Sequence, residues 1–411
     1  MKIKSERLWQ RLMQMAQTGA ITGDGVNRQA LSREEQESWL LMQHWAQASQ
    51  LEVRSDAAGN LFVILPGVDR LAAPLLLGSH LDSQPTGGRF DGVYGVLAAL
   101  EVLTVLRDNG VQPHCDVVAV SWMNEEGSRF APGMMGSSFF AGARALAEIG
   151  AVTDASGVSV SEALHAMRQS IPLPAWNGTF PPAAYLEVHI EQATELEKKG
   201  AIIGVVSGIQ GKITWQITLH GERGHAGTVP MAERRDALHS FTRIAQRLYQ
   251  QAGEADPHVM FTIGRVEMRP NAPSVIPDEL IFRIDLRHPQ EALLNALAIQ
   301  TEQRIRELAA PCQPEIMRLS EAAPNAFDAR LQQMIAASAN EHDYPAMPLL
   351  SAAGHDARYL AAICPSAMIF IPCREGISHA PEEWSEPEHV YAGAQVLLDV
   401  ALKWLDEMRT F

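Results

Sequence analysis

Little in this chain invites a disulfide, a membrane or a nucleic acid. Its 411 residues hold four cysteines, Cys115, Cys312, Cys364 and Cys373, and no two stand in C-x-x-C spacing. That argues for reduced thiols in a cytoplasmic protein. Cys373 falls near other reactive residues, where a packed bystander is the simple reading. No run of 18 uncharged apolar residues occurs, so no membrane span is expected. The opening MKIKSERLWQRLMQMAQTGAI has two lysines but no continuous apolar stretch. It reads as an amphipathic helix rather than a signal peptide. Positive charge is scarce: 33 Lys and Arg face 48 Asp and Glu, a net −15. Without a basic cluster, the electrostatic footprint of a nucleic-acid binder is missing. An anionic small molecule stays compatible, because a pocket can be locally positive. Internal repeats and low-complexity tracts are lacking too.

What is present suits a soluble globular protein, with 46% hydrophobic and 20% charged residues. The length suggests two or three domains. Residues 5–18 and 32–49 have helical texture, the second opened by Ser32 and Glu35 in capping-box spacing. VRSDAAGNLFVILPG reads as two strands turning at Gly59 and Asn60. PLLLGSH and CDVVAVSWMNEEG read as buried strands, joined by a helix that stops at Gly110. SVSEALHAMRQS adds a small helix and AAYLEVHIEQ a further strand. Alternating strands and helices predict an α/β domain with a largely parallel sheet, whose ligands bind beyond the carboxyl ends of the strands. Between 211 and 324 the order is strand, helix, strand, strand, helix, strand. That is the split βαββαβ, ferredoxin-like arrangement, a module of its own. The expected layout is a discontinuous α/β domain, residues 1–210 and 325–411, with an inserted α+β domain at 211–324.

Metal-binding side chains recur where the strands end. They are His80 in GSHLD, Asp91 in GGRFDG, Glu126 in MNEEGSRF, His189 in EVHIEQ and His379 in GISHAP. Three imidazoles and two carboxylates suit two zinc-like ions that share one carboxylate. Two ions about 3.5–4 Å apart activate water and clamp a tetrahedral intermediate. Each residue alone has a plainer reading. A strand-end histidine is commonly structural, and Asp91 opens a helix that it could cap. The joint pattern is what points to metal. Asp82, two residues after His80, can orient that imidazole through its other ring nitrogen. Glu125 and Glu126 point different ways, so one can bind metal while the other shuttles a proton.

Six segments carry a family resemblance: GSHLDSQPTGGRFDGVYGVLAALE, SWMNEEGSRF, LEVHIEQ, GHAGTVPMAERRDA, AGHDA and GISHAPEE. Together they resemble the amidase/carbamoylase branch of the dinuclear zinc aminoacylase and carboxypeptidase superfamily, from about residue 5 onward. The branch includes N-carbamoyl-amino-acid amidohydrolases, β-ureidopropionase and allantoate amidohydrolase. The resemblance implies that His80, Asp91 and His189 surround one metal, and Asp91, Glu126 and His379 the other. Asp91 would bridge, Glu125 would be the general acid/base, and Asp82 would stand behind His80. His225, in GERGHAGTVP, would reach the partner subunit's site and hold the oxyanion. The insert would then be a lid and dimerisation domain, and the protein a homodimer.

For the substrate carboxylate, a bidentate arginine suits. The candidates are Arg287 in DLRH, which matches the family's arginine, and Arg269 in MRPN. Asn271, Gln192 on the carbamoyl side and His355 in AGHDA complete the implied substrate residues. From the residues alone, Arg287 could be a surface ion pair, Asn271 a turn former and His225 a packed loop histidine. Two departures stand out. Ala193 replaces the usual glycine, and Ala380 an asparagine that could hydrogen-bond near the second metal.

The implied reaction is hydrolysis of the ureido C–N bond of an N-carbamoyl amino acid to amino acid, ammonia and carbon dioxide. Allantoate hydrolysis is the alternative, although Gln84 and Pro85 lean toward the ureidopropionase and carbamoylase side. A peptidase and a non-catalytic metabolite-binding relative are further readings. The unbroken ligand and acid/base set speaks against the last. Zinc is the expected metal, and manganese, cobalt or nickel also suit N/O ligands.

Overall fold

The computed structural model describes residues 1–408. The chain divides into two compact units, Met1–Gly208 with Ala326–Phe411, and Ile209–Asn325.

The first unit is α/β. Among the described residues it holds a nine-stranded sheet. Four strands lie parallel at its centre, in the order Val117–Trp122, Leu75–His80, Ala184–Ile190 and Ser366–Ile371. Each is buried along its whole length. That explains their unbroken apolar texture, since a central parallel strand is covered on both faces. The flanking strands run antiparallel. Leu61–Leu65 pairs with Val117–Trp122, and Ile203–Ile209 with Ser366–Ile371. The hairpin of Glu52–Ser55 and Leu61–Leu65 forms as expected. Its turn is drawn in by Asp56, whose carboxylate accepts N–H bonds from Ala58 and Asn60.

The helix Val93–Asp108 is buried from Val93 to Leu106, so it is a core element rather than an amphipathic surface helix. Glu101 inside it is fully buried. Its charge is met by a fork from Arg7, with Nε at 2.7 Å and Nη2 at 2.8 Å. Arg7 lies on the first helix, Ser5–Met15, which buries Leu8, Leu12 and Met15. Among the described residues no helix is long and apolar enough to cross a membrane. All four cysteines are free and buried.

One local expectation is corrected. Ser32 does cap the helix Arg33–Ala48 by accepting the Glu35 N–H. Glu35 does not return the bond to Ser32, because its carboxylate accepts the Leu31 N–H. The reciprocal capping box forms elsewhere, between Ser159 and Glu162 at the start of Val160–Ser170.

The second unit is a four-stranded antiparallel sheet in the order Gln313–Ala322, Gly211–His220, Glu279–His288, Met260–Arg269. Helices Ala237–Ala255 and Glu291–Ala309 pack on it. Its central strands alternate buried and part-exposed residues, the mark of a sheet covered on one face. Phe282 is fully buried and meets Phe241 edge-on at 5.0 Å. Truncating Phe282 to Ala leaves a cavity under the helices, with an expected loss of about 3–5 kcal/mol. Denaturant unfolding of the variant checks this. A loss below about 1 kcal/mol would mean that Phe282 is not a core anchor of this unit.

Candidate metal centre

Parallel strands deliver their carboxyl ends to one edge of a sheet, and that edge gathers the predicted ligands. His80 is the last residue of its strand and lies in register with Trp122, just ahead of Glu125 and Glu126. His189 is in register with Phe370, on the strand that leads toward His379. Asp91 sits between the Leu75–His80 strand and the core helix. The next residue must be glycine: Gly92 has φ 68, and a Cβ there would lie 2.3 Å from the His80 ring.

The two Asp91 oxygens face different partners. Oδ1 lies 3.2 Å from His189 Nε2 and 3.9 Å from His80 Nε2. Oδ2 lies 3.0 Å from His379 Nε2, which is 3.5 Å from Glu126 Oε2. Two groups of donors therefore share one carboxylate: His80, Asp91 and His189, and Asp91, Glu126 and His379. The tautomers fit this arrangement. His80 Nδ1 is 2.9 Å from the Asp82 carbonyl, and His189 Nδ1 is 2.8 Å from the Ile190 carbonyl. Each Nδ1 meets a carbonyl that can only accept its proton, so Nε2, the nitrogen facing Asp91, is the one turned toward the shared carboxylate. The donor set and its orientation suit divalent cations.

A third cluster, Glu187, His189 and His355, is also compact. Its carboxylate is already occupied by Ser79 at 2.7 Å, by Tyr185 at 3.0 Å and by the Ala357 N–H at 3.2 Å. It reads as a support behind His189.

The charges ask for cations. Burial pushes the Glu126 carboxyl up to about 7, and the nearby Asp91 charge adds to the rise. Burial also lifts Glu125 well above the carboxylate range, against the pull of His80. The hydrogen bond to Asp91 raises His379 to about 9. For His80 burial opposes a charge, yet Glu125 and the two neighbouring aspartates outweigh it and hold the imidazole well above its ordinary range. Carboxylates packed this closely hold protons or draw them onto imidazoles. A divalent ion satisfies the same demand.

Asp82 stands behind His80 and has a second role. Its carboxylate is 3.6 Å from His80 Nδ1, whose closer partner is the Asp82 backbone carbonyl. The carboxylate also accepts the N–H groups of Glu125 and Glu126, both at 3.1 Å. Asp82 thus sets the loop that carries both glutamates. Glu125 Oε2 lies 3.7 Å from His80 Nε2, beside the donor set.

Gln192 comes to the same place. Its Nε2 is 3.1 Å from Asp91 Oδ2 and 3.0 Å from Ser378 Oγ. His355 is buried behind His189, ring centroids 4.6 Å apart, and bonds Ser351 at 3.1 Å. Burial holds it well below the usual imidazole range, with His189 adding to the effect.

The remaining predicted residues belong to the inserted unit. His225 is exposed on a short bridge with Val275. Its Nδ1 accepts the Gly227 N–H at 3.0 Å, which in the neutral ring assigns the proton to Nε2. Arg287 forks onto Asp285 on its own strand, Nε at 2.8 Å and Nη2 at 3.1 Å. Arg269 pairs with Glu279 at 3.0 Å. Asn271 is exposed with φ 56, as in a turn.

Residues 76–403 match the Peptidase family M20/M25/M40. The chain belongs to this family. It is 35% identical to the N-carbamoyl-L-amino-acid amidohydrolase of Rhizobium meliloti, over 98% of this chain and 97% of that protein. It is 33% identical to the allantoate amidohydrolase of Bacillus subtilis, over 95% of both. A crystal structure of a hydantoinase/carbamoylase family amidase from Burkholderia multivorans superposes with a TM-score of 0.89, at 38% identity and 98% coverage of each chain.

Within this M20/M25/M40 site, several contacts were invisible in the sequence. Gln84 donates to Glu126 Oε2 at 2.7 Å. Ser378 and Glu383 flank His379 and bond each other at 2.8 Å. Arg28, almost fully buried, props the strand end by donating from Nε to the Leu81 carbonyl at 2.7 Å. An arginine far upstream gives no local signal. A polar SHAPEE segment after a buried strand does hint at Ser378 and Glu383.

Near Arg28, burial pushes Glu35 up from 4.5 to about 8, with the Asp82 charge adding to it. A carboxyl whose folded pKa is raised stabilises the fold fully below about 4.5. That contribution is lost as pH rises through about 8. Glu35→Gln keeps an acceptor for Leu31 and removes the titration. The variant should gain on the wild type between pH 4.5 and 8, by up to about 1.4 kcal/mol per pH unit. Urea unfolding of both proteins at pH 5, 6.5 and 8 measures the gain. A difference that stays flat with pH removes Glu35 as the cause.

Proposed function

We propose that this chain is a metal-dependent amidohydrolase. It cleaves the carbamoyl C–N bond of N-carbamoyl amino acids and yields amino acid, ammonia and carbon dioxide. The observation that carries the reading is the shared Asp91 carboxylate, with Glu125 next to His80 and outside both donor groups. The carbamoyl-amino-acid relatives support the substrate class. Two divalent ions, zinc first, would be held by His80, Asp91 and His189, and by Asp91, Glu126 and His379. Such ions supply Lewis acidity to the ureido carbonyl and lower the pKa of a water.

The residues of the chain do the rest. Glu125 takes the proton of the attacking water and returns it to the leaving nitrogen. Its buried setting suits the task, because burial raises the carboxyl well above its ordinary range and so favours its holding a proton between the two transfers. Asp82 keeps Glu125 and Glu126 pointing apart by holding their two backbone N–H groups. Gln192 stands at the edge of the site, where an amide can meet the carbamoyl group.

For the inserted unit we infer the role of lid and dimerisation domain. Its edge strand Met260–Arg269 leaves Met260 and Val266 exposed, which suits a partner subunit. His225, with its proton on Nε2, is a donor for the oxyanion in the partner's site. Arg287 would exchange Asp285 for the substrate carboxylate, and Asn271 would supply an amide. His355 acts from behind His189. The absence of a membrane-crossing helix among the described residues and the buried free cysteines support a cytoplasmic setting. Allantoate is the second reading, favoured by the Bacillus subtilis relative.

Ammonia release from N-carbamoyl-β-alanine, N-carbamoyl-L-amino acids and allantoate, with and without chelator, tests the assignment. Chelator-sensitive turnover of a carbamoyl amino acid is expected. Turnover of allantoate alone would replace the substrate, and turnover of none would end the reading. Glu125→Gln should keep its metal content and lose activity by about 10²–10⁴-fold. Wild-type-like turnover in that variant refutes Glu125 as the acid/base.

A further inference from the structure

We propose that Ser378 and Glu383 are positioning residues that hold the metal site on the His379 side, by closing a hydrogen-bonded ring around Asp91. The inference rests on the two-ion reading above.

The ring can be followed bond by bond. Glu383 is buried, and its Oε1 accepts the N–H groups of Phe90 at 2.9 Å and Asp91 at 3.0 Å. Its Oε2 accepts the Ser378 hydroxyl at 2.8 Å. Ser378 Oγ in turn accepts from Gln192 Nε2 at 3.0 Å. Gln192 Nε2 also donates to Asp91 Oδ2 at 3.1 Å, which returns the path to Asp91. Three loops are tied together, those after strands Leu75–His80, Ala184–Ile190 and Ser366–Ile371.

Two further observations show that the ring is built for its place. A Cβ at Gly88 would lie 2.2 Å from the Glu383 carboxyl, so the backbone there leaves room for that side chain alone. Gln192 and His379 both have φ 57, a left-handed backbone that non-glycine residues hold only when surrounding contacts impose it. The ring supplies contacts at both.

The ring favours one half of the site. Gln192 engages Oδ2, the oxygen that faces His379 and Glu126, and lies 3.4 Å from His379 Nε2. Ser378 immediately precedes His379. The other half draws His80 and His189 from the sheet, each backed by a main-chain carbonyl that the ring does not touch. Loss of the ring should therefore loosen the Asp91, Glu126 and His379 position and spare the other. A side chain with only a general structural role would weaken both alike.

The test is Zn²⁺ titration of metal-free, full-length protein against a competing chelator, with metal per chain measured after dialysis. Wild type should take up two ions. Glu383→Gln and Ser378→Ala should keep the tighter ion and bind the second about 10–100-fold more weakly, the usual cost of losing an outer partner of a ligand. Ser378→Thr, which keeps the hydroxyl, should restore the second site. Two sites unchanged in both variants, equal weakening of both sites, or a threonine variant as weak as the alanine one would each overturn the proposal. If Glu383→Gln does not fold, the Ser378 pair decides alone. A wild-type chain that takes up one ion would overturn the two-ion reading instead.

Discussion

The Asp91 carboxylate, buried and shared, is the constraint on which the first unit turns. Each oxygen must face a different donor pair, so the loop that carries Asp91 has one workable position. That position forces glycine at 92, where the His80 ring leaves no room for a Cβ. The all-buried helix Val93–Asp108 starts right after it and anchors the loop in the core. Asp91 is held well below the carboxylate range because the bonds to His189 and His379 outweigh its burial. A carboxylate that stays ionised in so dry a place is committed to positive partners.

Much of this was readable in the chain, for a physical reason. Strands covered on both faces are apolar along their length, so the polar residue that ends each run stands out. His80, Glu126 and His189 follow from that contrast. The inserted unit was legible through its period-two strands and two long helices. What escaped depends on distances between segments. Asp82 two residues after His80 looks like an imidazole partner, and its carboxylate lies 3.6 Å from the ring, but the closer contact is its carbonyl, and the carboxylate also holds Glu125 and Glu126. Spacing cannot tell a side chain from its own backbone. Glu35 fits a capping box by spacing, but Leu31 presents the N–H it takes.

Arg287 shows the same limit from another side. A strand-end arginine is a fair candidate for a carboxylate substrate, and here it lies in a fork on Asp285. Lys212 also reaches Asp285, at 3.1 Å. The aspartate therefore keeps a cation if the arginine leaves. A pair with a stand-in partner can open at lower cost than an isolated one, because neither charge is left bare. This suits the exchange of carboxylates proposed for Arg287.

A single device recurs around the site. Asp82 accepts the backbone N–H groups of Glu125 and Glu126, Glu383 those of Phe90 and Asp91, and Glu191 those of Glu195 and Leu196. Each clamps two consecutive amides in the segment that follows a parallel strand, loop for Asp82 and Glu383 and the start of the short helix Glu195–Lys199 for Glu191. A carboxylate is suited to this, since two oxygens can take several donors and a charged acceptor makes the stronger bonds. Three such clamps also concentrate negative charge at one edge of the sheet. Without cations nearby, burial raises two of them: Glu383 is pushed up to about 7, by burial first and by Asp91 next, and Glu191 is raised by burial. The loops are thus rigid because they are acidic, and an acidic cluster this dry is a strong site only for a cation. Rigidity and metal affinity come from the same groups, so a neutral replacement in a clamp gives up part of both.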